Sequence, residues 1–261
     1  MSAALSHTEL QALLAQVCPL VYSAGEVVLG IYQRPIQFSH KADQSPVTEA
    51  DAQAEAVLVA GLQQIAPHLP VVAEEAVAAG GAVQTGERFW LVDPLDGTKE
   101  FIQRNGEFTV NVALIEHGQP VLGVVLAPAL GRMYAGAHGL GAWVESQGQR
   151  QTIACRTTPP EGLTVVASRS HGDAVALDAL LSGQTVAQLV QAGSSLKLCL
   201  VAEGKADLYP RLGRTMEWDI AAGHAVLAAA GGNVRCLDGV PLAYGKPGLD
   251  NPHFVARGLP A

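Results

Sequence analysis

A layered α/β fold is what this sequence predicts, and two rhythms along the chain predict it. Between residues 71 and 144, short apolar runs follow one another at hairpin spacing. From about residue 155, strand-like and helix-like runs alternate. With 261 residues, 49% of them hydrophobic and 15% charged, the chain can bury a substantial core as one large domain or two closely joined halves. The change of rhythm divides it into an N-terminal α+β half, 1–150, with an antiparallel sheet, and a C-terminal α/β half, 151–261.

The elements follow in order. Ser6-His7-Thr8-Glu9 has capping-box spacing, and Leu10, Leu13, Leu14, Val17 and Val21 recur at helical intervals. Pro19 is expected to kink or interrupt that helix, and Pro35 to stop it. Lys41 to Pro46 is loop chemistry. Thr48-Glu49-Ala50-Asp51 opens a second helix with Leu58, Leu62 and Ile65 on one face and Pro67 beyond its end. Strands are predicted at Val71 to Ala73 and Phe89 to Val92. Phe108 to Ile115 and Val121 to Leu126 flank the turn signal His117-Gly118-Gln119-Pro120, and that hairpin extends through Met133 to Ala135 and Ala142 to Val144. In the second half, strands at Leu163 to Ala167, Val186 to Val190 and Ala206 to Tyr209 alternate with helices at Asp173 to Leu181, Ser194 to Ala202 and Glu217 to Ala230. His253 to Ala256 is a closing strand.

Charge narrows the function. Sixteen basic against 24 acidic side chains give a net charge of -8, and no contiguous basic segment exists, so a nucleic-acid polymer is not an expected partner. An acidic protein that handles an anionic ester needs local positive charge, which bound metal ions can supply. Met1 to His7 lacks the basic start and apolar run of a signal peptide. No uninterrupted run of 18 apolar residues exists, so no membrane-spanning segment is expected. The alanine-rich stretch Ile220 to Gly232 carries His224 and reads as a buried helix. Cys18, Cys155, Cys199 and Cys236 are scattered, without zinc spacing, and read as core thiols of a cytoplasmic protein. The sequence allows a homo-oligomer without specifying one.

Three acidic features end a strand or open a helix, where a rigid scaffold can hold functional groups. Glu74 and Glu75 follow Val71-Val72-Ala73. Asp93 and Asp96 follow Trp90-Leu91-Val92 across a Pro-Leu turn, and Asp219 lies at the start of the helix from Glu217. Two carboxylates three residues apart can converge on one point, where both stay charged only with a cation between them. Magnesium suits such an all-oxygen site, and the Leu95 carbonyl is a natural further ligand. Gly97 removes side-chain bulk where a phosphate could approach the backbone, and Thr98 starts a helix whose N–H groups favour an anion. Each feature alone has an ordinary structural explanation: Asp-Pro and Asp-Gly turns, a solvated Glu pair, and a first-turn acid complementing the helix dipole.

In combination these residues resemble a known family. Trp90 to Phe101, reading WLVDPLDGTKEF, is similar to the first metal motif of the inositol monophosphatase superfamily, and Trp218-Asp219-Ile220-Ala221-Ala222-Gly223 to its second. The Lys-Glu-Phe ending and Arg104 to Asn111 resemble the bacterial 3′(2′),5′-bisphosphate nucleotidase branch. Lys41-Ala42-Asp43, Ser45 to Thr48, Ser168 to His171 and Gly193 to Lys197 extend the match from roughly residue 20 to the C-terminus. Ala73, where serine is common, and Met216-Glu217 depart from the pattern.

The resemblance implies a layered αβαβα sandwich of the inositol monophosphatase and fructose-1,6-bisphosphatase type. It also implies two or three magnesium ions held by Glu74, Asp93, the Leu95 carbonyl, Asp96 and Asp219, with Asp93 bridging two of them. Glu74 and Thr98 would orient and deprotonate the attacking water, supported by Asp51, with no phosphoryl-enzyme intermediate. The implied substrate is adenosine 3′,5′-bisphosphate, cleaved to AMP, an activity belonging to sulfur assimilation. Beside Glu74, Leu95, Asp96, Gly97, Thr98 and Asp219, the residues expected to bind it are His171, Ser194, Ser195, Lys197 and Arg211, the last five chosen to hold the phosphate that is not cleaved. Each of the five has an ordinary alternative as a helix cap or solvated charge. Two competing functions are phosphatase action on inositol monophosphate or fructose bisphosphate, and a non-catalytic nucleotide sensor. The resemblance allows the cytoplasmic protein to rest on the cytoplasmic face of the inner membrane.

Overall fold

Helix caps and strand pairing set the framework in a computed structural model that describes residues 3–41, 44–168 and 174–259. The Ser6 hydroxyl accepts from the Glu9 backbone N–H, and the Glu9 carboxylate accepts from Ser6 N–H, starting helix α1 (His7–Tyr32). A short hairpin of β1 (Phe38–His40) and β2 (Pro46–Thr48) leads into α2 (Glu49–Ile65). There follow β3 (Val71–Ala73), α3 (Glu74–Ala78), β4 (Arg88–Asp96), α4 (Thr98–Ile102), β5 (Thr109–Glu116), β6 (Gln119–Ala127), β7 (Arg132–Ala137), β8 (Gly141–Ser146) and β9 (Gln149–Ile153). The second half comprises β10 (Leu163–Ser168), α5 (Ala174–Leu181), β11 (Val186–Ala192), α6 (Leu196–Ala202), β12 (Leu208–Arg211), α7 (Glu217–Ala229), β13 (Asn233–Cys236) and β14 (Phe254–Arg257).

Strands β3 to β9 form a seven-stranded sheet in chain order, antiparallel except for the parallel β3–β4 pair. The other large sheet runs β11-β10-β12-β14-β13. On one face of the first sheet, Leu10, Val17 and Val21 of α1 and Leu58 and Leu62 of α2 pack with Trp90, Val92, Val110, Val112 and Val124. On its other face, Leu91, Ala113 and Val125 pack with Leu198 and Cys199 of α6 and Ile220, Ala221 and Val226 of α7. That cluster continues into Val166, Tyr209 and Phe254 of the second sheet, whose outer face (Val165, Leu208, Val255) is covered by Leu180 and Leu181 of α5. Helix, sheet, helices, sheet, helix: these are the expected αβαβα layers. Helix α7 reaches the sheet closely because β6 has glycine at 123, where a Cβ would overlap the Ala222 carbonyl.

Several sequence expectations change. Pro19 does not interrupt α1, which runs unbroken for 26 residues. Pro19 and Ala15, the residue whose carbonyl loses its partner, are both exposed, so water can satisfy that group. With an 18-residue stretch of mean hydropathy 1.6, α1 is also long and apolar enough, by length and composition, to cross a membrane, a property that counting uninterrupted apolar runs overlooked. In this fold its buried stripe lies on the sheet. Strands β1, β2, β9 and β13 and helix α3 were not anticipated. The extended segment expected at Ala206 to Tyr209 pairs instead over Leu208–Arg211, and Asp173 lies outside the described residues.

Candidate active site

The parallel pairing of β3 with β4 sets Ala73 beside Val92, so Glu74, where β3 gives way to α3, and Asp93, still within β4, follow at the same level. The expected turn after Asp93 is not a turn. Strand β4 continues to Asp96 through a register shift between Asp93 and Asp96 against β5. Gly97, at φ 91°, then turns the chain into the single helical turn α4. Asp219 comes from the opposite side, in the first turn of α7, where its Oδ2 accepts the Met216 N–H at 2.9 Å. Glu74, Asp93 and Asp219 each present a carboxylate oxygen, and these three atoms lie within 4.8 Å of one another.

Burial and mutual repulsion dominate the electrostatics. Asp93 is 1% exposed. Burial first, then the charges of Glu74, Asp96 and Asp219, push its pKa well above the usual carboxylate range. Burial likewise raises Asp219, and Asp96 and Glu74 add to it. Glu74 is raised by burial against the opposing pull of Lys41. Asp96 is raised by burial, with Lys197 and hydrogen bonds from Ser195 opposing. Buried oxygen ligands that repel one another fit a hard divalent cation, which would relieve all of these penalties at once.

The supporting bonds are local. The Leu95 N–H donates to Asp93 Oδ1 at 3.0 Å. The Thr98 hydroxyl lies 3.3 Å from the Leu95 carbonyl and 3.3 Å from Asp51 Oδ1. Asp51 Oδ2 accepts the Thr48 N–H at 2.8 Å and the Thr48 hydroxyl at 2.7 Å. Burial nonetheless raises Asp51 to about 6.

A cavity of about 480 Å³ opens on this cluster. Its walls include Glu74, Asp96, Gly97, Thr98, Ser194, Ser195, Lys197, Arg211 and Asp219. Asp51, Asp93 and Leu95 are buried and are not among its lining residues, and His171 lies outside the described residues. Lys197 is 5% exposed, and its ammonium donates to the Ser194 carbonyl at 2.6 Å and the Ala192 carbonyl at 3.3 Å. Burial lowers its pKa to about 8 against the pull of Asp96. Arg211 donates from Nη2 to the Arg214 carbonyl at 2.9 Å. Ser195 does not cap α6 with its side chain; its hydroxyl donates to the Asp219 carbonyl at 2.6 Å, tying α6 to α7.

Sequence reasoning missed three contributors. Lys41 bonds to Glu74 and Glu75. Glu55 accepts the N–H groups of Glu75 and Ala76, both at 2.8 Å, and so anchors the start of α3. Arg214 joins Arg211 in the cavity wall. Lys41 stood in a quoted motif, but nothing local indicates a partner 33 residues away.

Fold and site together define an α/β sandwich protein with a carboxylate cluster suited to metal at the mouth of a polar cavity. The chain belongs to the inositol monophosphatase family, whose model matches residues 9–257. Members of that family are metal-dependent, in keeping with the Glu74–Asp93–Asp219 cluster. Over 245 residues it is 52% identical to the 3′(2′),5′-bisphosphate nucleotidase CysQ of Shigella flexneri, covering 93% of this chain and 98% of the relative. The crystal structure of CysQ from Bacteroides thetaiotaomicron superposes with a TM-score of 0.81 at 38% identity, covering 95% of this chain and 97% of that one. Inositol monophosphatase from Anabaena superposes at 0.75 with 28% identity, covering 95% and 91%.

Proposed function

We propose that this chain is a magnesium-dependent phosphatase that removes the 3′-phosphate of adenosine 3′,5′-bisphosphate to leave AMP. The observation that carries this reading is the convergence of Glu74, Asp93 and Asp219 on a cavity that also holds Arg211 and Lys197. The nucleotidase names of relatives that match nearly the whole chain support the substrate. Glu74, Asp93, the Leu95 carbonyl, Asp96 and Asp219 would hold two or three magnesium ions. Bound there, magnesium supplies positive charge that offsets the repulsion between an anionic ester and its nucleophile and makes water easier to deprotonate.

The chain's own groups do the rest. Glu74 and the Thr98 hydroxyl orient the attacking water. Because Thr98 Oγ1 faces Asp51, a proton accepted at Thr98 can be relayed to a carboxyl raised to about 6, poised to take it near neutral pH. Arg211 holds the phosphate that is not cleaved, while Lys197 braces Asp96 and the Ser194 turn. In this division of labour the first 150 residues bring the main metal motif, and the remainder brings Asp219 and the substrate cations.

Phosphate release from bisphosphonucleotides, inositol monophosphate and fructose bisphosphate, with and without magnesium, tests the proposal. Preference for the bisphosphonucleotide, lost on chelation, is expected. Preference for a sugar phosphate, or activity indifferent to chelation, overturns it.

A further inference from the structure

Asn111 is buried where nothing in the packing calls for an amide. It sits in β5 directly opposite Asp93 of β4, with Val125 of β6 on its other side. Side chains alternate along β5, so Thr109, Asn111, Ala113 and Ile115 share one face. Ala113 and Ile115 pack in the cluster beneath α6 and α7, as do Phe89 and Leu91, which share a face with Asp93 in β4. Asn111 and Asp93 are therefore cross-strand neighbours on one face, with Cβ atoms about 4.5–5.5 Å apart. Asn111 is 0% exposed, and neither its Oδ1 nor its Nδ2 has a hydrogen-bond partner among the described residues. Thr109, opposite Asp96, is also 0% exposed with an unpartnered hydroxyl. Two consecutive inward positions of β5 thus place unmet polar groups beside two acids of the cluster.

Unmet donors in a core cost stability, and valine would fill a strand position such as 111 without that cost. We propose that Asn111 is a positioning residue for the metal site: its amide donates to the Asp93 carboxylate and holds it in the orientation that receives the ion. This rests on the metal reading above. Oδ1 of Asp93 already accepts the Leu95 N–H. The remaining lone pairs become strong acceptors once a cation keeps the carboxylate ionised, and the Asn111 Nδ2 is one cross-strand spacing away. Hydrogen bonds behind a ligand fix its orientation, and their loss typically lowers metal affinity about 10–100-fold.

The test compares Asn111→Val with Asn111→Thr, two side chains of the same shape that differ by one hydroxyl. Magnesium affinity is measured by calorimetry on the full chain, and thermal unfolding with chelator present. Valine is expected to bind magnesium about 10–100-fold more weakly than wild type while unfolding at the same or higher temperature without metal. Threonine, which keeps a donor, is expected to recover a substantial part of the affinity. Equal affinities for the two variants, at the wild-type level or both reduced, overturn the positioning role. Should valine fail to fold, wild-type affinity in Asn111→Ala overturns it and a loss of about tenfold or more supports it. A wild-type protein that binds no magnesium would sink the metal reading itself, an outcome distinct from a variant that binds as well as wild type.

Discussion

Lys41 Nζ lies 2.6 Å from Glu74 Oε1 and 2.6 Å from Glu75 Oε1, so one ammonium bridges the paired glutamates at the edge of the carboxylate cluster. Burial works against its charge, but the two glutamates outweigh burial and raise its pKa. Lysine here supplies a cation to an acid-rich pocket. Lys41→Met should lower metal-free stability by on the order of 2 kcal/mol, less than for a fully buried pair because Glu74 keeps 25% of its side-chain surface exposed. Magnesium should restore more of the unfolding temperature in the variant than in wild type. Thermal unfolding with chelator and with magnesium reads both, and equal magnesium shifts in the two proteins would refute the role.

Asp93→Asn removes a charge that burial and three neighbouring acids oppose. Phosphate release should fall by at least about 100-fold, the scale of a lost electrostatic contributor to the transition state. The metal-free protein should unfold at a higher temperature, by about 2–4 °C for each kcal/mol of repulsion relieved. Activity down with stability up is the expected pairing; a loss of both would mean that Asp93 serves the fold.

Arg211 and Lys197 should separate in substrate assays. Arg211→Ala removes a charge-assisted contact worth roughly 1.5–3 kcal/mol, about one to two decades of kcat/KM on adenosine 3′,5′-bisphosphate. A 3′-monophosphate, which lacks the phosphate being held, should be affected little. Lys197 is buried against Asp96 and the Ser194 carbonyl, so Lys197→Ala should slow both substrates alike. Equal losses on both substrates for Arg211→Ala would move it from substrate binding to the metal site or the fold.

Acid should weaken the fold through His224. It is 6% exposed, its Nδ1 lies 2.9 Å from the Tyr244 hydroxyl, and burial lowers its pKa to about 3. Above about pH 6.5 the histidine is neutral in both native and unfolded chains and adds no pH dependence. Below it the unfolded chain takes up a proton that the native state refuses, so stability falls by up to about 1.4 kcal/mol per pH unit until the folded pKa is reached. Relative to His224→Phe, wild type should lose about 1.6 kcal/mol between pH 6.5 and 5. Urea unfolding of both proteins at the two pH values checks this, and parallel curves would contradict it.

Much of the site was legible because its signals are short-range. The capping box of Thr48 and Asp51, the apolar runs ending at Ala73 and Val92, and Gly97 at a left-handed turn all act within a few residues. Strand β9, reading Gln149 to Ile153, was illegible because its side chains are largely exposed and carry no apolar alternation. Hairpin β1–β2 failed because it is only three residues a side, with β1 exposed along its length and β2 too short to show an alternation.

By itself the sequence determined a layered α/β class and the chemical identity of the cluster, since periodicity, caps and strand-terminal acids are properties of neighbours along the chain. The αβαβα layer order was implied only by resemblance to the family. Tertiary structure alone decided that β4 runs on through Asp96, that Lys197 turns inward to Asp96 and the Ser194 carbonyl, and that Lys41 meets Glu74. It alone placed Asn111 behind Asp93. Such pairings join positions separated by many residues. Their energies come from burial, charge and sheet register, which exist only after the chain has closed those loops and excluded water from between them.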